Sequence, residues 1–255
     1  MQGVTALWWR EIIRFVRQRS RLIGAFAQPL LFWVLLGGGF SSSLRPPGAP
    51  EDLSSMAYFY PGIIGLVILF TAIFSTIAVV EDRKSGFLQG VMVSPISRGG
   101  IVLGQALGGT TLAVLQGVLF LALAPLGGIS LTVTSVIAVV LVIAAIAFAL
   151  TSVGLVIAWR MESTQGFHAV MNLILMPIWI LSGAFFPASG AAGWLGWLMQ
   201  LNPLTYGMAA LRRCLYWSAP ASVGRVPSLA PSIVVTLIFC GLAFAGATAV
   251  ARRSR

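Results

Sequence analysis

The stretch YFYPGIIGLVILFTAIFSTIAVV, residues 58–80, contains no charged side chain from end to end. An α-helix rises 1.5 Å per residue, and about 20 apolar residues cross the hydrocarbon core of a bilayer. The stretch is therefore long enough and apolar enough to form a transmembrane helix.

Five further apolar runs accompany this one, at residues 22–40, 101–126, 131–159, 167–186 and 231–251. Of the 255 residues, 58% are hydrophobic and 9% are charged, and the mean hydropathy is +0.95. A soluble domain carries roughly 25% charged residues, so most of this chain does not face water. We expect an all-α integral membrane fold, with six transmembrane helices in a single domain over residues 1–255.

The distribution of charge predicts the orientation, because Lys and Arg favour cytoplasmic segments. With both termini inside, the cytoplasmic segments carry +8 and the external segments +2, which together account for the net charge of +10. We expect a multi-pass protein of the cell membrane, inner or plasma, with both termini cytoplasmic and membrane lipids around it. The basic residues cluster at the ends of apolar runs rather than along a stripe with aromatics, which argues against nucleic-acid binding.

The N-terminal segment, residues 1–21, is amphipathic. Arg10, Arg14, Arg17 and Arg21 fall within an arc of about 60° on a helix. A separate apolar stripe consists of Trp9, Ile12, Ile13 and Val16. This pattern predicts a helix in the cytoplasmic interface, with its tryptophans at the level of the lipid headgroups. A simple positive-inside anchor explains the pattern equally well.

Residues 188–217 are also apolar, but Asn202–Pro203 interrupts them and Arg212 and Arg213 follow. Neither half is long enough to span the membrane. We therefore expect an external re-entrant or interfacial helical hairpin, which is allowed where protein buries the backbone. The alternative, a seventh span, places the Arg-rich tail outside, against the charge rule.

Catalytic motifs are absent from the sequence. No acidic residue lies in the middle of a predicted span, and His168 has no obvious carboxylate or cysteine neighbour. The only lysine, Lys84, does not follow a glycine, so the chain contains no Walker A phosphate loop. Cys214 and Cys240 form no metal or disulfide motif. We expect no enzyme activity, no metal site and no cofactor in this chain.

The loop after the quoted stretch, EDRKSGFLQGVMVSPISR at residues 81–98, is short and patterned. It begins with a charged cluster, Glu81, Asp82 and Arg83. Apolar residues then recur at helical spacing: Phe87, Leu88, Val91 and Met92. Ser85 can cap a helix that Pro95 ends, which predicts two to three turns with an apolar knob beside the cluster. Such a knob implies a docking partner; a helix lying on the membrane surface is the alternative.

This loop, with its charged cluster, Gly86, apolar residues and Pro95, resembles the cytoplasmic signature of type-2 ABC exporter permeases. These are the membrane subunits of drug, polysaccharide and lipid exporters, such as the daunorubicin-resistance and nodulation permeases. A second similarity is LSGAFFP at residues 181–187, followed by a tryptophan-bearing stretch and then NPLTYGMAALR at residues 202–212. Together the two similarities and the six-span layout cover nearly the whole chain.

The resemblance implies a homodimer docked on two copies of a separate ABC ATPase subunit, which binds ATP and Mg²⁺. It makes the loop at residues 81–100 the coupling helix, with ATPase-contacting residues Glu81, Asp82, Arg83, Gly86, Phe87, Leu88, Val91 and Pro95. It makes the N-terminal segment a cytoplasmic elbow helix carrying Trp9, Arg10, Arg14 and Arg17. It puts the re-entrant pair near the exit, with Asn202, Pro203, Tyr206 and Arg212. Lys84 and Gln89 stand where acidic residues are frequent in the family, so the charge pairing with the ATPase differs here.

Two other classes of protein remain as alternatives. A secondary transporter needs ionisable or broken-helix sites at mid-membrane in two related halves, and the sequence shows neither. A structural membrane subunit without ATP coupling has no need of the patterned loop. Arg212, Arg213 and Arg225 lie on the predicted outer side, where they are ordinary surface arginines or attract anionic headgroups or substrates. Few polar residues lie within the spans, so the sequence assigns no substrate.

Overall fold

The computed structural model describes residues 2–39, 53–185 and 192–253, and these residues form ten α-helices and no strand. The helices are α1 (Gln2–Arg17), α2 (Arg19–Val34), α3 (Ser55–Lys84), α4 (Phe87–Met92), α5 (Arg98–Leu121), α6 (Val133–Ala158), α7 (Thr164–Trp179), α8 (Gly193–Leu201), α9 (Pro203–Leu215) and α10 (Leu229–Arg253). Short π-helical turns, Leu35–Gly39 and Ile180–Ala184, extend α2 and α7.

Five of these helices are long and apolar enough to cross a membrane: α3, α5, α6, α10 and α7 with its extension to Ala184. They coincide with five of the six predicted runs, which confirms an all-helical membrane fold. The sixth run, predicted at residues 22–40, contains the shorter apolar helix Ile23–Gly39. Residue 40 lies outside the described residues, and the sixth span stays a prediction.

The predicted N-terminal segment is divided into two helices. The backbone leaves the helical region at Gln18 (φ −92°, ψ 78°), so Arg21 belongs to α2 rather than to the amphipathic helix. On α1, Leu7, Glu11 and Phe15 form the buried face at a spacing of four residues. Of the predicted apolar stripe, Trp9 and Val16 are exposed, whereas Ile12 and Ile13 are partly buried.

The helix that the quoted stretch forms, α3, is the centre of the fold. It is enclosed by α2, α5, α6, α7 and α9, so nearly all its side chains are buried. Hydrogen bonds join it to its neighbours: the Tyr60 hydroxyl donates to the Phe120 carbonyl at 2.5 Å, and Trp179 Nε1 donates to the Gly62 carbonyl at 3.1 Å. Thr71 also contacts the side-chain amide of Gln116. Because α3 has no free face, it cannot shift without its neighbours.

Small residues allow the helices around α3 to approach closely, as is usual where lipid supplies little hydrophobic drive for association. A Cβ atom at Gly109 would lie 2.6 Å from Ser75 Oγ, and one at Gly154 would lie 2.6 Å from Thr76 Oγ1. The tightest approach is at Gly62, where a Cβ atom would lie 2.4 Å from the carbonyl oxygen of Ala184. The glycines therefore set the spacing of the core helices.

The predicted interruption at Asn202–Pro203 is confirmed, since α8 ends and α9 begins there. The Asn202 amide oxygen accepts a hydrogen bond from the Leu204 N–H at 3.0 Å, and Nδ2 donates to the Ile178 carbonyl at 2.6 Å. Pro203 occupies the first position of α9, where its missing N–H costs nothing. Asn202 thus caps α9 and ties the break to the end of α7. That the pair enters the membrane from outside stays a prediction.

We expect Gly62→Ala to destabilise the fold, because the new methyl group meets a backbone carbonyl that cannot rotate away. Overpacking of a core costs about 1–3 kcal/mol, so the thermal unfolding midpoint in detergent should fall clearly. Gly241→Ala on α10 is the matched control, since no atom lies within 4 Å of its added Cβ. Equal midpoints for the two variants would contradict the packing at Gly62.

Candidate functional site

An ion-pair cluster joins α1 to the last turn of α3. Arg10 Nη1 and Nη2 donate to the two carboxylate oxygens of Asp82, each at 2.7 Å. Arg14 donates to the same carboxylate at 2.7 Å and to Glu81 at 2.5 Å. The Asp82 side chain is only 4% exposed. Its carboxylate therefore accepts three charge-assisted hydrogen bonds in a site largely closed to water.

Arg83, the third member of the charged cluster, points to a different helix. Its guanidinium donates to the carbonyl oxygens of Trp159 and Met161, the latter at 3.4 Å, and lies 5.9 Å from the centroid of the Trp159 ring. These carbonyls follow the end of α6, where a cation is favoured by the helix dipole. Arg83 thus links the end of α3 to the end of α6.

The helix of the patterned loop, α4, is shorter than predicted. It has six residues, and Gly86 precedes it with φ 77°, a left-handed conformation that a residue with a Cβ rarely adopts. The prediction that Ser85 caps this helix is wrong, because Ser85 instead follows the last residue of α3. The reversal at Gly86 sets α4 against the end of α3.

The composition of the apolar knob also differs from the prediction. Leu88 is 2% exposed and packs into the core of the chain, so it does not belong to an exposed knob. Phe87 is 38% exposed and Val93 is 88% exposed, while Val91 is partly buried and Pro95 exposed. The Arg10 guanidinium lies 3.7 Å from the centroid of the Phe87 ring. The exposed apolar surface therefore consists of Phe87 and Val93, and Asp82, like Leu88, is too buried for the direct partner contact predicted for it.

Further contacts attach α1 along its length. Ile96, in the connection after α4, lies against Gly3. On α5, Gly108 faces Glu11, with only 2.6 Å between the position of an added Cβ and the Glu11 Cβ. Trp8 Nε1 donates to the Thr111 hydroxyl at 3.0 Å. Consequently α1, α4 and the ends of α3 and α5 form one connected unit, which we call the coupling unit.

Glu11 lies within the coupling unit and is almost fully buried. Burial is the main reason that its pKa is raised from 4.5 to about 7, and the nearby Asp82 carboxylate adds to the effect. Arg10 and Arg14 act in the opposite direction, and Arg10 Nη1 lies 3.2 Å from Glu11 Oε1. The sequence analysis missed Glu11 as part of this site, although its four-residue spacing from Leu7 and Phe15 was a signal.

The remaining predicted site residues are separated from this unit or lie at its surface. Trp9 and Arg17 are exposed on α1. Asn202, Pro203, Tyr206 and Arg212 belong to the α8–α9 pair, which contacts the opposite end of α3. Arg212 is 6% exposed and is therefore not an ordinary surface arginine. In the described ranges, no three potential metal ligands of the His, Cys, Asp or Glu type come together.

The described residues thus form a bundle of apolar helices around one enclosed helix, with a short loop helix fixed at one end. Residues 2–216 match the family model described as ABC-2 type transporter, and the chain belongs to that family. It is the membrane permease subunit of an ABC transporter, which confirms the resemblance found in the sequence.

Curated relatives agree with this assignment. The chain is 25% identical to nodulation protein J of Neorhizobium galegae, over 97% of this chain and 92% of the relative. It is 28% identical to "Putative transport permease ycf38" of Porphyra purpurea, over 83% and 73% of the two chains. The protein of the same name in Cyanophora paradoxa is 26% identical over 94% and 85%.

We expect Asp82→Asn to loosen the coupling unit, because Arg10 and Arg14 lose their shared counterion. Removing one partner of a buried pair costs about 3–5 kcal/mol; here roughly 2–3 kcal/mol is expected, since both arginines are partly exposed. The thermal midpoint should fall, and amide hydrogen exchange should rise in α1 before the other helices. Glu162→Gln, at an exposed acidic residue, is the control. Unchanged exchange in α1 would contradict this role of Asp82.

Glu11 makes the stability of the coupling unit depend on pH. Its pKa is higher in the folded state, so its contribution is fully present below about pH 4.5 and is lost as the pH rises through about 7. The loss amounts to on the order of 3 kcal/mol. Glu11→Gln should therefore raise the thermal midpoint at about pH 8 and flatten its dependence between about pH 5 and 8. A variant with the wild-type pH profile would show that another group is responsible.

Proposed function

We propose that this permease exports its substrate using a separate ABC ATPase subunit, which binds ATP and Mg²⁺ and docks on α4. The observation that carries the proposal is the exposed apolar pair formed by Phe87, the first residue of α4, and Val93, the residue that follows α4. The helix between them is packed against the rest of the chain through Leu88. A water-exposed apolar surface at such a position fits a protein partner. The chain itself contains no phosphate loop, so hydrolysis falls to the partner.

The coupling unit offers a route for force from the ATPase to the membrane helices. A push on α4 reaches the core through Leu88 and reaches α1 through the contact between Phe87 and Arg10. From α1 it passes to α3 through Asp82 and to α5 through Gly108. Since α3 has no free face, its displacement moves the surrounding helices. The geometry therefore supports transmission by rigid packing rather than by a flexible tether.

The proposed assembly contains two copies of this chain and two ATPase subunits in the cell membrane, with both termini and α4 cytoplasmic. The charge asymmetry of +8 against +2 supports this orientation. The outward side of α10 carries exposed apolar residues that suit contact with lipid: Ile233, Val234, Leu237, Ile238 and Leu242. In this arrangement the α8–α9 pair lies near the external exit.

The names of the relatives bear on the proposal without naming a substrate. They are described as a nodulation protein and as a transport permease. Membership of the ABC-2 family disfavours both a secondary transporter and a structural subunit. A loop lying on the membrane surface is the alternative for residues 81–98, and the retention experiment with Val93→Asp distinguishes the two interpretations.

We expect Val93→Asp to weaken binding of the ATPase at least tenfold. Burying a large apolar side chain is worth roughly 1.5–3 kcal/mol, and about 1.4 kcal/mol corresponds to a factor of ten. Retention of the ATPase on affinity-tagged permease is the measurement. Gln165→Asp, at an exposed position in the first turn of α7, adds the same charge as a control.

Leu88→Asp separates docking from folding in the same experiment. Leu88 is buried inside the chain, so this substitution should lower the thermal midpoint of the permease alone, whereas Val93→Asp should leave that midpoint unchanged. Full retention of the ATPase by Val93→Asp, with transport intact, would show that α4 is not the docking site.

A further inference from the structure

A buried arginine occupies the end of α3 that is remote from the coupling unit. Arg212, on α9, is 6% exposed, and its guanidinium lies 4.7 Å from the centroid of the Tyr58 ring. The rise of 1.5 Å per residue separates Tyr58 from Asp82 by about 36 Å along α3. The two sites therefore lie at opposite ends of the central helix.

Arg212 has no carboxylate partner among the residues that the structure describes, whose four ion-pair contacts all belong to the cluster between α1 and α3. Toward the described residues, the guanidinium uses one of its five N–H donors in a long hydrogen bond, from Nη2 to the Tyr58 carbonyl at 3.3 Å. The buried Tyr58 hydroxyl lies beside the guanidinium without a hydrogen bond of normal geometry. A buried cation without a counterion is unfavourable by several kcal/mol, so this arrangement calls for an anion.

A small cavity of about 40 Å³ lies where these groups meet. A single water needs about 10–15 Å³ on the same measure, so there is room for a group of a few heavy atoms. Arg225 also lines the cavity. Arg213 supports one wall by donating to the carbonyls of Val226 at 3.0 Å and Pro227 at 2.7 Å. The cavity is thus walled by fixed backbone and carries positive charge.

Two hydroxyl groups that line the cavity are not donors for a ligand. The Ser182 hydroxyl donates to the Trp179 carbonyl at 2.5 Å, and the Thr205 hydroxyl donates to the Met199 carbonyl at 2.6 Å. Their protons are therefore already used. The donors left for a ligand are the guanidinium N–H groups and the Tyr58 hydroxyl.

We propose that this cavity binds an oxyanion of the phosphate type. Arg212 and the Tyr58 hydroxyl hold the oxyanion, and Arg225 attracts it at the more exposed side. Such a group is present both in the headgroup of a phospholipid and on a phosphorylated cargo. The external position of the site rests on the orientation given under the proposed function. Binding of the anion does not require the ATPase, so a negative result for anion binding would not affect the proposal that the ATPase docks on α4.

The test uses the purified permease alone in a maltoside detergent, which contains no phosphate. Inorganic phosphate is titrated at constant ionic strength, with sodium chloride as the balancing salt. A ligand that binds the folded state raises the thermal midpoint in a saturable manner. We expect this rise for the wild type, a loss of apparent affinity of at least tenfold for Arg212→Gln, and a loss of severalfold for Tyr58→Phe. Arg160→Gln, at an exposed arginine between α6 and α7, should match the wild type.

A second titration distinguishes the two sources of phosphate. Phosphatidylglycerol that raises the midpoint and is displaced by inorganic phosphate identifies a headgroup as the occupant, whereas a response to inorganic phosphate alone identifies a soluble phosphorylated group. Should Arg212→Gln fail to fold, Arg212→Lys and Tyr58→Phe carry the comparison.

Two results would overturn the proposal. Glu51 and Asp52 precede α3 and lie outside the described residues. The first is that neither form of phosphate shifts the thermal midpoint of the wild type, while the double variant Glu51→Gln, Asp52→Asn has a lower midpoint than the wild type. Arg212 is then paired within the chain, and the cavity is not an anion site. Equal affinity of the wild type and Arg212→Gln for phosphate would likewise refute it.

Discussion

The carboxylate of Asp82, shared between Arg10 and Arg14, is the interaction on which the coupling unit depends. It is buried at the end of α3, where an unpaired carboxylate would be strongly unfavourable, and α1 brings two cations to it. This requirement holds α1 against α3 and puts Arg10 over Phe87. The same buried charge therefore connects the N-terminal helix to α3 and, through Arg10 and Phe87, to α4.

The buried charges at the two ends of α3 differ in how they are paired. At one end, two arginines meet the carboxyl groups of Glu11, Glu81 and Asp82 within the chain. At the other end, Arg212 is buried beside Tyr58 without a carboxylate from the described residues. The first end is complete without a ligand and suits a mechanical connection. The second has unused donors around a cavity and suits binding, and the fully enclosed α3 joins the two.

Much of the fold could be predicted from composition and length. Because a transmembrane helix must be long and apolar, runs such as residues 58–80 can be recognised from composition alone. The break at Asn202–Pro203 can also be predicted, because proline interrupts a continuous helix. The site was predicted only in part. The loop at residues 81–98 and the arginines of α1 were both recognised. The ion pairs between them join residues about 70 positions apart, so a local sequence pattern does not predict which charged residues pair.

The sequence by itself determined the positions of five long apolar helices, the absence of a phosphate loop and the location of the exposed loop. Each of these features depends on local composition alone, and the thickness and apolarity of the lipid bilayer are known in advance. Only the tertiary structure decided that Leu88 packs inward while Phe87 and Val93 face out, and that Arg212 is buried. In a helix of six residues, periodicity does not distinguish the side that meets the chain from the side that meets a partner. The reversal at Gly86 and the packing of neighbouring helices made that choice.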